Sequence, residues 1–556
     1  MTESPYNYVP VIVVGGGPTG LNLAMQLGTR SVPCMLVNEG ETTATHPQGS
    51  SHSARTMEHY RRLGVSAHVR ATGLPADQPT DAVYVTRIAG HEITRLSMPS
   101  SAEKMRPGSP EQILTPEPLH RASQMYVEAV LKQHVDGLSS VDVRFGWRMT
   151  DLSPRVDHVV VELHHPKTNV HRTVKCGYLV GCDGGLSTVR RRLGIPYEGE
   201  KGSEIGYMMG QMLSVYFEAP NFHSVSEKKP AWQWQVFNAE CRMSIMDLDG
   251  KGKFLALLKL DPEIDALRFD PREHLRKAIG ADIPILVNAS KPWTAGLSLV
   301  AEKYQDGRVL MAGDAVHLFT PSGGLGMNTG VDDAANLGWK LAAWYHGWAG
   351  VGLVDSYETE RRPVAVRNLR QSFSLAQTSA LMPFPDHLEE ASAAGTRDRV
   401  MIGARLAKVL PGLVASTGIE LGVRYDGSPL IVPDATSPPP DDPLEYQPTA
   451  CPGGRAPHVW LEDGTALLDR FGPEFTLLRL GSGRFTYTEG IERAADARSL
   501  PLSVVDIDDS NTREIYGCDL VMIRPDGHVA WRGSVIGEDP ASLLDAVVGG
   551  SCIGIS

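Results

Sequence analysis

The fold is decided near the amino terminus, where residues 11–27 read Val-Ile-Val-Val-Gly-Gly-Gly-Pro-Thr-Gly-Leu-Asn-Leu-Ala-Met-Gln-Leu. Val11–Val14 is a continuous β-branched apolar run, which is typical of a parallel strand buried on both faces. The apolar residues after Gly20 recur at mostly helical spacing, and Cys34–Val37 repeats the strand pattern. The stretch therefore predicts a βαβ unit that opens an α/β fold.

The turn between this first strand and the first helix carries glycines at Gly15, Gly17 and Gly20. In such a turn the first glycine permits the tight bend, the second lets a pyrophosphate approach the backbone, and the third permits close packing of helix on strand. Pro18 and Thr19 begin the helix, whose amino terminus favours negative charge. The pattern predicts a dinucleotide-binding loop, with a plain strand–helix turn as the alternative.

An acidic residue at the end of the second strand usually binds the adenosine ribose in a unit of this kind. Counted from Val32 and Pro33, that place falls on Asn38, and Glu39 follows it. Asn38 is the weaker partner for a ribose hydroxyl, whereas Glu39 takes the place if the strand is one residue longer. Both residues stay candidates.

Composition and charge exclude several classes of protein. The chain has 556 residues, of which 42% are hydrophobic and 21% charged, with a formal net charge of −12. These figures are ordinary for a globular protein and argue against nucleic acid or an anionic membrane as the main partner. No apolar run approaches the roughly eighteen residues of a membrane-spanning helix, and we expect no signal peptide. Seven cysteines without a CxxC pair indicate reduced thiols, so we expect a cytoplasmic enzyme.

The pattern along the chain changes several times and predicts three domains. A strand-rich stretch with aromatic faces interrupts two glycine-rich parts, which form one discontinuous domain. A helical connection follows, and then a proline-rich segment that is typical of a linker. Strand-like runs and turns alternate in the last domain. In chain order, the predicted units are residues 1–200 together with 300–370, then 201–299, 371–432, 433–457 and 458–556.

Two further motifs lie outside the opening unit. Tyr178–Gly194 reads Tyr-Leu-Val-Gly-Cys-Asp-Gly-Gly-Leu-Ser-Thr-Val-Arg-Arg-Arg-Leu-Gly, a strand that runs into Asp183 before a helix begins. Gly307–Asn328 reads Gly-Arg-Val-Leu-Met-Ala-Gly-Asp-Ala-Val-His-Leu-Phe-Thr-Pro-Ser-Gly-Gly-Leu-Gly-Met-Asn, and a long helical pattern follows. Taken alone, Asp183 is also explained as the cap of a turn.

In this order and at these spacings, the three motifs resemble those of the group A FAD-dependent aromatic hydroxylases, which include para-hydroxybenzoate hydroxylase and phenol hydroxylase. The pattern is most similar to 2,4-dichlorophenol 6-monooxygenase-like members, and the resemblance covers residues 9–370. The tail is similar to the thioredoxin-like domain of the longer members but lacks CxxC. The resemblance implies an α/β fold: a Rossmann-like FAD-binding domain, an inserted β-sheet substrate domain and a C-terminal thioredoxin-like domain.

The resemblance also implies a reaction. Such enzymes use FAD, NADH or NADPH, and O2 to hydroxylate a phenolic or heteroaromatic ring, for example a pyridinol, through a flavin C4a-hydroperoxide. The alternatives are a tailoring hydroxylase of an aromatic polyketide, a flavin-dependent halogenase, and a flavin-binding protein without turnover. Trp232–Phe237 resembles a halogenase motif but lacks its proline, and no lysine precedes Lys104, where halogenases carry one. We expect a homo-oligomer that acts on a small aromatic substrate and has no metal site.

Residue by residue, the resemblance implies a cofactor site assembled from distant parts of the chain. Gly15–Gly20 hold the FAD pyrophosphate, and Asp314 bonds the ribityl chain. The amides of Met327 and Asn328 face the pyrimidine end of the flavin, and the carbonyl of Pro321 lies beside the substrate hydroxyl. The other implied cofactor contacts are Gln124, Asp183, Arg190, Gly324 and Gly326.

Two positions depart from the family pattern, and two histidines lie near them. Gln48 replaces an arginine that touches the cofactor region in the family, and Leu186 occupies a place that is often polar. We therefore expect altered flavin mobility and NAD(P)H docking. His52 and His46 lie in the loop where some relatives place a histidine, so either is a candidate to accept the phenolic proton; an ordinary surface or core histidine is the alternative.

The pocket wall is expected from the middle sheet. On a predicted strand, Trp232 and Trp234 alternate with Gln233 and Gln235, so the tryptophans share one face. That face either lines the substrate pocket or belongs to the hydrophobic core.

Overall fold

The computed structural model describes residues 8–200, 207–380, 382–414, 416–481 and 488–550. Strands and helices are numbered along the chain. The strands are β1 (Tyr8–Val14), β2 (Cys34–Asn38), β3 (Ser51–His52), β4 (Ala82–Val85), β5 (Glu92–Leu96), β6 (His120–Arg121), β7 (Val141–Phe145), β8 (Arg148–Pro154), β9 (Val159–His165), β10 (Val170–Gly181), β11 (Tyr197–Glu200), β12 (Gly210–Glu218), β13 (Gln233–Phe237), β14 (Arg242–Asp247), β15 (Lys253–Lys259), β16 (Leu286–Ala295), β17 (Ser298–Ala301), β18 (Gln305–Asp306), β19 (Val309–Met311), β20 (His317–Leu318), β21 (Phe475–Leu480), β22 (Leu502–Ile507), β23 (Leu520–Ile523) and β24 (Val529–Gly533). The α-helices are α1 (Pro18–Gly28), α2 (Ala54–Arg62), α3 (Ser66–Arg70), α4 (Ser101–Lys104), α5 (Pro110–Leu114), α6 (Gln124–Asp136), α7 (Thr188–Arg192), α8 (Phe222–Ser226), α9 (Arg272–Ile279), α10 (Leu325–His346), α11 (Ser356–Ala380), α12 (Ala393–Val414), α13 (Thr417–Leu421), α14 (Glu489–Asp496), α15 (Ser510–Tyr516) and α16 (Pro540–Val547).

A parallel sheet built on the opening βαβ unit forms the centre of the first domain. β1 pairs in parallel with β2 on one side and with β10 on the other. The order is β18-β19-β10-β1-β2-β7, and β8 and β9 extend the sheet beyond β10. Val11, Ile12 and Val13 are fully buried, because side chains of α1 and α10 pack on the sheet in one apolar core. The predicted buried strand and Rossmann-like domain are confirmed.

A second sheet, in the order β16-β12-β15-β14-β13-β4-β5, forms the inserted domain. One of its faces packs on α9 and forms a separate apolar core. Successive side chains of a strand alternate between faces, so the side chains of the other face point away from α9 and can face the first domain. The sheet is not confined to residues 201–299, because β4 and β5 come from residues 82–96 and β4 pairs in parallel with β13. Strand pairing over such a separation leaves no signal in local spacing.

The carboxy-terminal domain has a four-stranded sheet in the order β22-β21-β23-β24. β21 is parallel to β22 and antiparallel to β23, and α14 and α16 pack with the sheet in one apolar core. This is the thioredoxin-like domain that the resemblance implied.

The proline-rich segment 433–457 is packed rather than free. The amides of Gly453 and Ala456 donate to carbonyls of the β23–β24 hairpin at 2.8 and 3.0 Å, and Arg455 is buried. Proline excludes regular helix and sheet here, as expected, yet the amides between the prolines still find partners. The end of this segment therefore packs as part of the carboxy-terminal domain. Amino-acid composition alone does not predict this packing.

Helices α11, α12 and α13 span most of residues 371–432. By length and composition, Ala393–Leu421 is the one described stretch that passes as a candidate membrane span. In the structure, Ile402, Leu406 and Leu410 of α12 pack on the inserted sheet. The helix thus covers one side of that sheet near the boundary between the first two domains.

Candidate active site

A cavity of about 1160 Å³ lies between the first domain and the inserted sheet. Its walls are the turn after β1, the loop of residues 46–51, the start of α10 and one face of the inserted sheet, and α12 closes it with Leu410, Leu413 and Val414. Ligand pockets of drug-sized molecules typically enclose about 300–1,000 Å³, so this cavity has room for more than one ligand.

The glycines of the first turn differ in what surrounds them. Gly15 has a φ of +111°, which glycine adopts at little cost. A Cβ at Gly20 would overlap the carbonyl oxygen of Gly15, whereas a Cβ at Gly17 would meet no atom within 4 Å. Gly15, Gly17, Pro18 and Thr19 line the cavity, and Gly20 lies behind them. The chain thus leaves open space beside Gly17, where a pyrophosphate can lie against the bare amino terminus of α1.

The two candidates for the ribose contact both line the cavity but are engaged differently. The side-chain oxygen of Asn38 accepts the amide hydrogen of Gly16 at 2.9 Å, and its Nδ2 donates to the carbonyl of Gly40 at 3.0 Å. Glu39 forms an ion pair with Arg148 at the cavity rim. Because the Asn38 amide already holds the glycine turn, Glu39 is the better candidate for a ribose.

The start of α10 presents bare backbone to the cavity. Gly324, Gly326 and Met327 line it, no side chain caps the helix, and its first turn holds no acidic residue. The first amides of a helix have no partner within the helix and carry partial positive charge. Asn328 is not among the residues that line the cavity. Its side-chain oxygen accepts from the amide of Ser53 at 2.9 Å and so fastens the loop before α2, while the role expected of its backbone amide stays a prediction.

The Asp314 carboxylate faces the cavity and has no hydrogen-bond partner among the described residues. Burial raises its pKa, and the nearby His317 partly offsets this. Its backbone is held on both sides: the Tyr197 hydroxyl donates to the Asp314 carbonyl at 2.7 Å, and the amide of Gly313 donates to the Asp333 carboxylate at 3.1 Å. A fixed backbone with an unpartnered carboxylate fits a ligand that brings hydroxyl groups.

Of the two residues predicted from the second motif, Asp183 lines the cavity and Arg190 does not. The Asp183 carboxylate lines the cavity but accepts from the Ser187 hydroxyl and the Thr188 amide, both at 2.6 Å, so it caps α7. Arg190 does not line the cavity, contrary to the expectation. Its guanidinium stacks 3.7 Å from the centre of the Tyr197 ring, and Arg191 lines the cavity in its place. The side chains of neighbouring helical residues point about 100° apart, which explains the exchange.

Gln48 and Gln124 both line the cavity, as predicted, and so does Glu128, which lies on α6 one turn after Gln124. Gln124 Nε2 donates to a Glu128 oxygen at 2.7 Å, and Glu128 also accepts the amide hydrogen of Ala44 at 2.8 Å. Burial raises the pKa of Glu128, and these hydrogen bonds only partly offset the rise. The sequence analysis missed Glu128, although its place one helical turn after Gln124 was a signal.

The two candidate histidines lie in different environments. His52 is fully buried behind the cavity, and its Nε2 lies 3.3 Å from the carbonyl of Ala122. It does not line the cavity, so the structure contradicts it as a proton acceptor for a ligand there. His46 does line the cavity, and its Nε2 lies 2.7 Å from the hydroxyl of Ser214 on the inserted sheet.

The expected orientation of the tryptophans is wrong for one of them. The amides of Trp232 and Gln233 both donate to the carbonyl of Asp81, at 3.0 and 3.1 Å, and this irregularity at the start of β13 breaks the alternation. Trp232 therefore lines the cavity together with Gln233, whereas Trp234 is fully buried in the core against α9.

Two rows of side chains on the inserted sheet face the cavity. Each row is formed by residues that stand directly opposite one another on neighbouring strands, and every member lines the cavity. The first row is Lys291, Ser214, Leu257, Ser244, Gln235 and Tyr84, and the second contains Leu255, Met246 and Gln233. Pro321, in the first domain, also lines the cavity. The cavity thus has a wall that is polar at several places and apolar between them.

The residues present fit FAD. Open space beside Gly17 and the bare helix end suit a pyrophosphate, the free carboxylate of Asp314 suits a polyhydroxyl chain, and the amides at the start of α10 suit an electron-rich ring edge. Within the described ranges, no group of three or more His, Cys, Asp or Glu side chains is arranged to hold a metal ion.

Comparisons with known proteins agree with this site. A family model described as FAD binding domain matches residues 8–372, and one described as aromatic-ring hydroxylase, C-terminal, matches residues 449–549. The FAD-dependent monooxygenase apdD of Emericella nidulans is 32% identical over 99% of this chain and 91% of its own length. A putative polyketide hydroxylase of Streptomyces halstedii is 29% identical, with 94% of this chain and 93% of its own length covered.

Two further comparisons bear on the predicted resemblance and on the fold. The 2,4-dichlorophenol 6-monooxygenase of Cupriavidus pinatubonensis is 28% identical, with 96% of this chain and 94% of its own length covered. The structure of RebC soaked with chromopyrrolic acid, with bound 7-carboxy-K252c, superposes with a TM-score of 0.89 at 33% identity, covering 98% of this chain and 100% of that one. The chain therefore belongs to the family of FAD-dependent aromatic-ring monooxygenases, with both the FAD-binding domain and the carboxy-terminal domain of the aromatic-ring hydroxylases.

Proposed function

We propose that this FAD-dependent aromatic hydroxylase acts on an extended, fused-ring phenol rather than on a single-ring phenol or pyridinol. The observation that carries the proposal is the length of the first row on the inserted sheet. From Lys291 to Gln235 the row crosses four strand spacings, which is about 19 Å at about 4.8 Å each. A single ring covers little more than one spacing and leaves most of the polar row without contact to the ligand.

The polar groups of the row are separated by apolar ones, which suits a flat molecule with oxygen atoms along its edges. The amide of Gln235 donates to the Ser244 hydroxyl at 2.8 Å, while Leu257 separates Ser244 from Ser214. A fused-ring phenol can rest on the apolar residues and place oxygens at both polar groups. The putative polyketide hydroxylase among the relatives supports the alternative of a polyketide-tailoring enzyme for the same reason.

The protein's own part in the reaction is to bind, orient and exclude water. Gly17, Glu39, Asp314 and the amides at the start of α10 would hold FAD, and bound FAD supplies the activation of O2 with electrons from NADH or NADPH. The apolar side of α12 closes the cavity over the inserted sheet, which limits access of water to the reacting oxygen. His46 would hold a hydrogen bond at the substrate side of the cavity. A homo-oligomer and a cytoplasmic location stay predictions.

The experiment is a screen of substrate-stimulated NADH and NADPH oxidation with product mass analysis. Phenol, 2,4-dichlorophenol and 3-hydroxypyridine are compared with naphthols, hydroxyanthraquinones and tetracyclic polyketide phenols. We expect a product heavier by one oxygen, with consumption coupled to product, only from fused-ring phenols. Coupled hydroxylation of the single-ring compounds, with none of the fused-ring ones, would overturn the substrate proposal while leaving the family assignment intact.

A further inference from the structure

We infer that His46, Ser214 and Lys291 form a subsite that binds the ring hydroxyl of the substrate in its ionised form, as a phenolate. The inference rests on the proposed function, because it assigns one end of the polar row to the reacting phenol. The three residues come from two domains: His46 lies in a loop of the first domain, and Ser214 and Lys291 lie on β12 and β16 of the inserted sheet.

The geometry brings the three side chains to one place on the cavity wall. His46 Nε2 lies 2.7 Å from Ser214 Oγ, and Lys291 stands directly opposite Ser214 in the β12–β16 pairing. All three line the cavity. The contact between His46 and Ser214 also joins the first domain to the inserted sheet at this point.

His46 is buried in the cavity wall, and one of its ring nitrogens has no hydrogen-bond partner among the described residues. Its exposed fraction is 3%, and Nδ1 has no hydrogen-bond partner among the described residues. A buried polar atom without a partner is costly in a folded protein unless a ligand or water satisfies it. The unpartnered nitrogen therefore indicates, independently of the cavity itself, that a ligand atom binds next to His46.

Either tautomer of His46 leaves one hydrogen-bond donor for a ligand oxygen. If Nε2 carries the hydrogen, it donates to Ser214 Oγ, and the Ser214 hydroxyl can donate into the cavity. If Nε2 accepts from Ser214, then Nδ1 carries the hydrogen and is the free donor. In both arrangements the pair offers a neutral donor of the kind that binds a phenolate or phenol oxygen.

Lys291 supplies the charge that decides between phenol and phenolate. Among the described residues it forms no ion pair with a carboxylate. Burial, and then the positive charge of Lys291, lower the pKa of His46 to about 4, so the imidazole is neutral near pH 7 and Lys291 is the charged group that faces it. A cation beside a weak acid favours the ionised form, so the ring hydroxyl releases its proton to solvent on binding.

Ionisation at this place makes chemical sense for the family's reaction. A phenolate is more electron-rich at the ring carbons ortho and para to its oxygen than the neutral phenol, and the hydroxylation needs an electron-rich ring carbon. A subsite that lowers the pKa of the bound hydroxyl activates the substrate without a protein group that must carry the proton away. Lys291 would then be a specificity residue for phenols over ring systems without an ionisable hydroxyl.

The test uses alizarin, a fused-ring phenol whose visible absorbance changes when a ring hydroxyl ionises. The holoenzyme is titrated with alizarin from pH 5 to pH 9 by difference spectroscopy, in the absence of NADH and NADPH. We expect bound alizarin to ionise at a pH lower by about one unit or more than free alizarin, a shift typical of one nearby opposite charge. Lys291→Met should remove most of this shift, and Lys291→Arg should keep it.

Two further variants separate charge from hydrogen bonding and from general effects. Ser214→Ala should weaken alizarin binding several-fold and keep a shift in the same direction. Lys303→Met removes an exposed lysine that does not line the cavity, and it should leave both affinity and shift at the wild-type values. If Lys291→Met binds alizarin with the wild-type shift, the subsite is wrong and the substrate class stands. If the wild-type enzyme binds neither alizarin nor any other fused-ring phenol of the screen, both proposals fall.

Discussion

At the scale of the single residue, Gly17 and Gly20 belong to one turn but are glycine for different reasons. A Cβ at Gly17 would meet no protein atom within 4 Å, and the φ of −80° there suits any residue. A Cβ at Gly20 would overlap the carbonyl oxygen of Gly15. The polypeptide therefore needs glycine at position 20, whereas at position 17 it is the bound pyrophosphate that needs the space.

The pair of variants Gly17→Ala and Gly20→Ala tests this division. We expect Gly17→Ala to weaken FAD binding by roughly tenfold or more, because the new methyl group occupies the space of the pyrophosphate. The free energy of unfolding of its FAD-free form should lie within about 0.5 kcal/mol of the wild-type value. We expect Gly20→Ala to lower the free energy of unfolding by about 1–3 kcal/mol through overpacking.

Fluorescence titration with FAD and calorimetry of the FAD-free proteins measure the two effects. Wild-type affinity for FAD in Gly17→Ala would show that the pyrophosphate lies elsewhere. Equal loss of stability in both variants would show that the open space beside Gly17 is filled in solution.

Single residues also show what the sequence can and cannot predict about the site. Gly17 was predictable because a turn and a following helix fix its place locally, whereas Asp314 was predicted only through the family resemblance. His52 was not, because it lies in β3, where Ser51 faces the cavity and the next side chain faces the opposite way. Which of two neighbours faces a ligand depends on pairing with β6, from a distant part of the chain.

At the scale of the element, the two faces of the inserted sheet have different roles: one packs in the hydrophobic core, and the other lines the cavity. Trp234 packs in the core against α9, and Gln235, the next residue, lines the cavity. The period of two along β13 explains both placements. The sequence predicted the alternation of these residues and left open whether the tryptophan face lines the pocket or belongs to the core. Trp234 lies in the core, and Trp232 lines the cavity.

Substitutions on the two faces of β13 should have opposite effects. We expect Trp234→Ala to lower the free energy of unfolding by about 3–5 kcal/mol, the usual cost of deleting a buried large aromatic side chain. Gln235→Ala should change stability by less than about 1 kcal/mol and raise KM for fused-ring phenols several-fold at unchanged FAD affinity. Chemical denaturation and steady-state kinetics check the pair. A Gln235→Ala enzyme with unchanged KM for every substrate would remove the first row from the substrate site.

At the scale of the whole molecule, buried charges join the carboxy-terminal domain to the helices of the FAD-binding domain. Glu58 of α2 accepts from Arg455 at 2.9 Å, and Glu360 of α11 accepts from Arg524 at 2.6 and 2.8 Å. These four side chains are at most 3% exposed. A domain without CxxC can thus serve the enzyme by holding α2 and α11 in place. No local pattern predicts these pairs, because the partners Glu58 and Arg455 lie 397 residues apart.

The charged interface predicts how stability depends on pH. Burial raises the pKa of Glu58, but the charges of Arg455 and Arg55 more than offset this, so the folded pKa lies well below the ordinary value. A carboxylate of this kind stabilises the fold above its unfolded pKa of about 4.3, and the contribution is lost as the pH falls toward the folded pKa. We expect Arg455→Met to lower the free energy of unfolding by about 3–5 kcal/mol at pH 7, because it leaves the Glu58 charge buried with less compensation.

The difference between Arg455→Met and the wild type should shrink as the pH falls below about 4.3, because protonation then neutralises Glu58 in the variant before it does so in the wild type. The double variant Glu58→Leu with Arg455→Met should recover most of the loss at pH 7, since it buries no uncompensated charge. Denaturant titrations from pH 7 down to about pH 3, followed by fluorescence, measure all three proteins. A single variant as stable as the wild type at pH 7, or a difference that grows on acidification, would show that the carboxy-terminal domain is held by its apolar contacts and that this ion pair adds nothing to its attachment.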